Sequence, residues 1–405
     1  MKYSSLIFAA SAVLAVPTPS AAQDGPLGFY VALQSTGILG IDFDPSKDVN
    51  HSLTITSTTN AGFQVNWITP YEDKIYSISR SHYPDNATMS GGVFEFEEAS
   101  EMDLILLGSR SSNGEGGVFL DVSPDGKTLA AANIDGGSVS IFPLSSTGTI
   151  GAATYTFQYT IETPGPGAGD SQTQANPHES IFDPSGKYIF VPDRGADRVY
   201  IYNHGGPSAV TLLETLTLEP GTGPRHILFS PIDHQSFYFY LVSELENCIR
   251  TFVFSCKGST APKITQLQII STLGLATGLS ARTAPTNDDL AAELQLSSDG
   301  RFMYVSNRNT QTFDPDTIAI FSRDITDGTL TYLTAASTQG KLPRMFAISP
   351  DATNQYVAVA NEVTQDITMF ERDAGTGMIG EVVGRLVLGE IDATTTQGPL
   401  CVLWQ

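Results

Sequence analysis

Residues 176–193 read NPHESIFDPSGKYIFVPD. Apolar and polar residues alternate on either side of Asp-Pro-Ser-Gly, which predicts two antiparallel strands joined by a tight turn. The same grammar recurs along the chain, as GGVFLDVSPDGKTLAAANIDG (116–136), GPRHILFSPIDHQSFYFYLVSE (223–244), AAELQLSSDGRFMYVSNRN (291–309) and LPRMFAISPDATNQYVAVANE (342–362). A weaker copy is FQVNWITPYEDKIYSISRS (63–81). The turn positions Pro70, Pro124, Pro184, Pro231, Ser298 and Pro350 are spaced by about 55 residues, irregularly. No long stretch of 3.6-residue periodicity competes with these short alternating runs.

Six copies leave both ends of the chain unassigned. The C-terminal GPLCVLWQ (398–405) reads as the first strand of a unit and the N-terminal LGFYVALQS (27–35) as its second. Joined, they make a seventh copy. The expectation is an all-β chain folded as a seven-bladed β-propeller of four-stranded antiparallel blades, its termini closing one blade; a pair of sandwiches or a solenoid is the weaker alternative. The propeller occupies residues 23–405 as a single domain. Residues 1–22 carry one lysine, a short apolar run from Leu6 to Val16 and the small residues Ser20 and Ala22, the layout of a secretory signal peptide. That run is too short to span a bilayer, so a secreted, extracellular protein is expected.

With 21 basic against 43 acidic residues, the formal charge is −22. Such a surface repels nucleic acid and anionic membranes, and neither is expected as a partner. Asn50-His51-Ser52 and Asn86-Ala87-Thr88 are candidate glycosylation sites at Asn50 and Asn86. Three cysteines are too few for a disulfide scaffold. Cys248 and Cys256 read as lying on one extended run, about 26 Å apart, which forbids their pairing unless that run folds back, while a bridge from either to Cys401 stays open.

In a propeller the start of each first strand and the end of each second strand share one mouth of the central channel. That rule gathers Arg80, Asn133, His178, Asp193, Arg225, His226, Glu244, Glu293, Arg308, Arg344, Asn361 and Glu362 at one face. Asp125-Gly126 and Asp299-Gly300 fall at the other. Arg225, Arg308 and Arg344 are candidate ligands for a small anionic, carboxylate-bearing substrate, because a guanidinium grips a carboxylate through two parallel donors. Pairing with Glu244 or Glu362 to staple blades together is the structural alternative. His178 and Glu244 are the acid–base candidates. His226 follows Arg225 on the same strand, so strict alternation turns it away into blade packing. PGPGAGD (164–170) precedes no helix and reads as a loop, and DFDPSKD (42–48) as a blade turn. No nucleophile elbow, zinc motif or phosphate loop is present, and no metal or other cofactor is expected.

The runs PHESIFDPSGKYIFVPDRGADRVYIY, GTGPRHILFSP, VSELEN, AAELQLSSDGRFMYVSNRN and LPRMFAISPD together resemble the seven-bladed lactonase family. Its members include propeller-type 6-phosphogluconolactonases and the fungal 3-carboxy-cis,cis-muconate lactonizing enzymes (muconate cyclases). The resemblance spans nearly the whole chain after the leader and is strongest from about residue 115 onward. It implies an active-site histidine at His178, arginines at Arg225 and Arg308, and a glutamate at Glu244. Ile134 stands where the family often has tyrosine, and the blade around Arg80 matches poorly. The expected function is a secreted, metal-independent enzyme that forms or opens a lactone ring, either as a cycloisomerase or as a hydrolase. A non-catalytic extracellular binding or adhesion propeller is the alternative, and convergence of the four side chains on one pocket discriminates between them.

Overall fold

The computed structural model describes residues 27–405 apart from 100–101, 168–170, 234, 258–261, 275–289, 309–313 and 395. The leader read at 1–22 lies outside the described residues. Among those described, 28 strands form seven four-stranded antiparallel sheets, and there is no helix.

The first sheet is closed by the termini: β1 (Leu27–Leu33), β2 (Gly37–Phe43) and β3 (Leu53–Thr59) are joined by β28 (Pro399–Trp404), which pairs antiparallel with β1. The second contains β4 (Phe63–Tyr71), β5 (Lys74–Ser81), β6 (Ser90–Glu98) and β7 (Leu104–Glu115). The third contains β8 (Gly117–Val122), β9 (Thr128–Asn133), β10 (Ser138–Pro143) and β11 (Tyr155–Gln158). In the fourth, β12 (Ile181–Phe182) is only two residues long, followed by β13 (Tyr188–Asp193), β14 (Arg198–His204) and β15 (Val210–Thr217). The fifth contains β16 (Pro224–Asp233), β17 (Ser236–Ser243), β18 (Cys248–Ser255) and β19 (Lys263–Ser271). The sixth contains β20 (Leu290–Leu296), β21 (Phe302–Arg308), β22 (Thr317–Arg323) and β23 (Leu330–Ser337). The last contains β24 (Pro343–Ile348), β25 (Tyr356–Asn361), β26 (Asp366–Arg372) and β27 (Ile379–Val387).

Each sheet packs its faces against its neighbours, so the core is distributed. Seven apolar clusters fill the seven gaps between blades. The gap between the last and first blades, for example, holds Phe29, Val31 and Ile41 against Ala358, Ile367 and Met369. Closing the ring by strand pairing at β28–β1 removes two sheet edges that would otherwise stand open. The Pro-Asp-Gly turns crowd the face away from the polar rim. Gly126 takes φ +68° there, and a Cβ on it would meet the Tyr71 ring of the preceding blade.

A second regularity lies at the opposite end of the inner strands. The ladder between first and second strand slips by one or two residues near its start, between Val65 and Trp67, Gly117 and Phe119, Pro224 and His226, Ala291 and Leu294, and Pro343 and Met345. The closing blade slips likewise around Leu400. A bulge leaves its extra residue unpaired and re-aims the side chain. The residues so released include Asn66, Arg225, Glu293 and Arg344.

The sequence expectations for the loops hold in part. DFDPSKD runs from the last two residues of β2 into the link to β3, and Asp44 caps that turn through Ser46. The 164–167 segment is irregular. All three cysteines are free thiols, which closes the open question of a bridge to Cys401: Cys248 and Cys401 are buried in separate blades. Asn50 and Asn86 are exposed.

Candidate active site

The ends of the second through last blades enclose a cavity of about 500 Å³ lined by Arg80, Asp135, Asn176, His178, Arg194, Glu244, Arg308 and Arg344, among others. How His178 reaches it follows from the loop before β12. Pro177 forms a bridge with Asp193, and the His178 N–H donates to the Pro192 carbonyl at 2.9 Å. Asp193 Oδ1 accepts from the backbone N–H groups of Asn176, Gly195 and Ala196 at 2.7, 3.0 and 2.9 Å, and ties the loop to the turn after β13. His178 is 4% exposed.

Glu244 follows β17 and gathers three arginines. Its Oε1 accepts from Arg194 Nε at 2.7 Å, while its Oε2 accepts from Arg225 Nε at 2.8 Å and lies 3.0 Å from Arg308 Nη2. Burial alone would raise its carboxyl, but Arg194, Arg308 and Arg225 outweigh burial and hold it well below the usual carboxylate range. Burial and the neighbouring Arg308 pull the Arg225 guanidinium down to about 9. Among the described residues, Arg308 Nε is buried without a hydrogen-bond partner.

Arg344 differs from its neighbours. No acidic group stands within ion-pair distance of its guanidinium among the described residues, and it forms no side-chain hydrogen bond there. It lies in the wall between the main cavity and a second of about 330 Å³, lined by Gln64, Asn66, Arg80, Glu362 and Leu400 among others. Arg80, the other residue common to both cavities, is paired to Asp135 at 2.7 Å. Glu362 instead accepts from Gln34 Nε2 at 3.1 Å.

The expected orientation of His226 is corrected. Its side chain does not turn away into blade packing: Nε2 lies 3.0 Å from His178 Nδ1, and Nδ1 lies 3.0 Å from Glu293 Oε2. The cause is the bulge between Pro224 and His226, which breaks the alternation and sends Arg225 and His226 to the same channel. Burial, then Arg225 and His226, press the His178 imidazole well below its ordinary value, and burial and Arg225 bring His226 down to about 4. Both rings are therefore neutral at pH 7.

The structure thus brings His178, Glu244, Arg225 and Arg308 together and adds Arg344 at the edge. Arg194 was not singled out from the sequence. It stands one residue past the end of β13, and the polar run Asp193-Arg194 at a channel mouth was the available signal. Other rim residues serve the scaffold: Asn133 Nδ2 donates to the Ser112 carbonyl at 3.1 Å, and Asn361 Nδ2 to Asp366 Oδ1 at 2.9 Å.

Residues 26–404 match the family model described as lactonase, 7-bladed beta-propeller. A Bacillus subtilis protein named 6-phosphogluconolactonase is 27% identical over 306 residues, covering 75% of this chain and 78% of its own. One of the same name from Formosa agariphila is 27% identical over 363 residues, covering 87% and 93%. A Bacteroides fragilis crystal structure, provisionally assigned as a 6-phosphogluconolactonase, superposes with a TM-score of 0.75 at 25% identity, covering 95% of this chain and 99% of that one. The chain belongs to the lactonase family of seven-bladed β-propellers.

Proposed function

We propose that the protein is an exported lactonase that hydrolyses a small anionic lactone, with His178 as general base and the surrounding arginines as the anion and oxyanion site. The observation carrying this reading is the convergence of His178, Glu244 and Arg308 on one 500 Å³ cavity, with Arg225 bonded to Glu244 behind it. A pure binding protein has no need of a neutral histidine beside a cluster of guanidinium groups. The relatives named 6-phosphogluconolactonase favour ring opening over ring formation, and phosphogluconolactone is the first substrate to try. The leader and the exposed Asn50 and Asn86 support export and glycosylation.

In this reading a water molecule attacks the lactone carbonyl carbon and gives its proton to the neutral His178 ring. The carbonyl oxygen becomes an oxyanion, met by the guanidinium of Arg308, which lines the cavity. As the tetrahedral intermediate collapses, the ring C–O bond breaks and His178 returns its proton to the departing oxygen, leaving a hydroxy acid. Glu244 stays ionised and orients Arg194, Arg225 and Arg308. Arg344 holds an anionic substituent away from the ring.

The test is hydrolysis of 6-phosphogluconolactone and of unphosphorylated gluconolactone by the purified protein, with spontaneous hydrolysis subtracted. Turnover of the phosphorylated lactone that disappears in Arg225→Ala supports the reading. Failure of both lactones to turn over, or full activity in that variant, contradicts it.

A further inference from the structure

We propose that Glu293 and His226 are positioning residues that hold His178 in the one neutral tautomer able to take a proton from the cavity. The role of that proton rests on the hydrolytic reading above; the tautomer does not.

The chain of contacts starts at Glu293. Its Oε1 accepts the Leu294 N–H at 3.0 Å and its Oε2 faces His226 Nδ1 at 3.0 Å. The Leu294 N–H and His226 Nδ1 thus meet the two oxygens of one carboxylate. An ionised carboxylate only accepts, so His226 Nδ1 carries the hydrogen. Arg225 Nη1, at 3.5 Å from the same nitrogen, is too distant to compete. A neutral imidazole has a single N–H, which leaves His226 Nε2 bare. The 3.0 Å contact between that nitrogen and His178 Nδ1 then requires His178 to donate. His178 Nε2 is consequently a lone pair, without a protein partner among the described residues, on a ring that lines the cavity.

The surroundings protect this order. The Trp67 and Phe119 rings stand edge-on to His226 with centroids at 5.4 and 5.5 Å, closing it off from beneath. Two bulges supply the geometry: one turns His226 into the channel beside Arg225, and the other, between Ala291 and Leu294, releases Glu293 toward it. The three residues come from the fourth, fifth and sixth blades. The relay therefore also registers those blades against one another.

Nitrogen-15 NMR of the full chain labelled at histidine, at pH 7, tests the tautomer directly, with His178 assigned by loss of its signals in His178→Ala. The expected spectrum has a hydrogen on Nδ1 and a bare Nε2 in both His178 and His226. A hydrogen on His178 Nε2 overturns the inference whatever the substrate proves to be. In Glu293→Gln the side-chain amide can donate to His226 Nδ1 and reverse both rings. The expected result is a drop in lactone kcat of about 10²- to 10⁴-fold with KM nearly unchanged, partly recovered in Glu293→Asp. Wild-type kcat in Glu293→Gln also overturns it.

Discussion

Arg225 Nε and Glu244 Oε2 are bonded across 2.8 Å with both side chains almost wholly buried. The bond joins β16 to the loop after β17 in the same blade, while Arg194 and Arg308 bring two further blades to the same carboxylate. One buried carboxylate thus offsets three guanidinium groups. Removing its charge leaves them facing one another.

Glu244→Gln keeps the shape and deletes the charge, so its effect is electrostatic. Breaking a buried ion pair costs about 3–5 kcal/mol, and urea unfolding of this variant should show a loss of that order together with loss of turnover. Wild-type stability in the variant would mean that the three arginines do not depend on this carboxylate.

Arg344 has no such dependent. Arg344→Ala should leave the melting temperature within about 2 °C while raising KM for a phosphorylated lactone by about tenfold or more, with kcat on an uncharged lactone little changed. Michaelis–Menten kinetics on the two substrates, alongside a thermal scan, separate the outcomes. Equal loss on both lactones would place Arg344 with the reacting atoms and away from the substituent.

The pH dependence follows from His178. Burial depresses its basicity, and Arg225, His226, Arg344 and Arg194 add to the effect. A general base of this kind is already deprotonated well below pH 6.5, so kcat/KM should be nearly flat between pH 6 and 7.5 and fall only in more acidic solution. An acid limb centred at or above pH 6.5 would contradict the assignment. Stability follows the same sign. His226, brought down to about 4, binds its proton more readily unfolded, so folding loses up to ~3 kcal/mol as pH falls from 6.5 to 4.

Asp121 on β8 has the opposite sign. Burial pushes its carboxyl up to about 7, although its Oδ2 accepts the Phe182 N–H of the next blade at 2.9 Å. Folded protein keeps this proton through the range in which unfolded chain has already lost it, so its stability contribution fades as pH rises from about 4 to 7. Asp121→Asn retains an acceptor for Phe182 and never ionises. It should melt higher than wild type at pH 8, by an amount worth up to ~4 kcal/mol, and the difference should shrink toward pH 4.

The repeat made the blade count and the closure by β28 legible, because hairpin turns and alternation are local properties of sequence. The meeting of His178, Arg225, Glu244 and Arg308 at one mouth was legible for a related reason: the first-strand and second-strand ends of a propeller share that mouth. What alternation could not express was the bulge. His226 read as pointing away because period two forbids adjacent residues on one face, and a single extra residue at Pro224–His226 reverses that conclusion. Glu293 was visible on the rim, but its bond to His226 joins residues 67 apart across two blades, and no local pattern encodes it. Arg194 escaped because it stands just beyond the strand whose end defined the rim.

The central claim is that His178 is the base of a lactone-hydrolysing site. The most direct measurement is kcat of His178→Ala on 6-phosphogluconolactone, beside its melting temperature. A fall of about 10²- to 10⁴-fold with the fold intact is expected. A folded His178→Ala that hydrolyses the lactone as fast as wild type would contradict it.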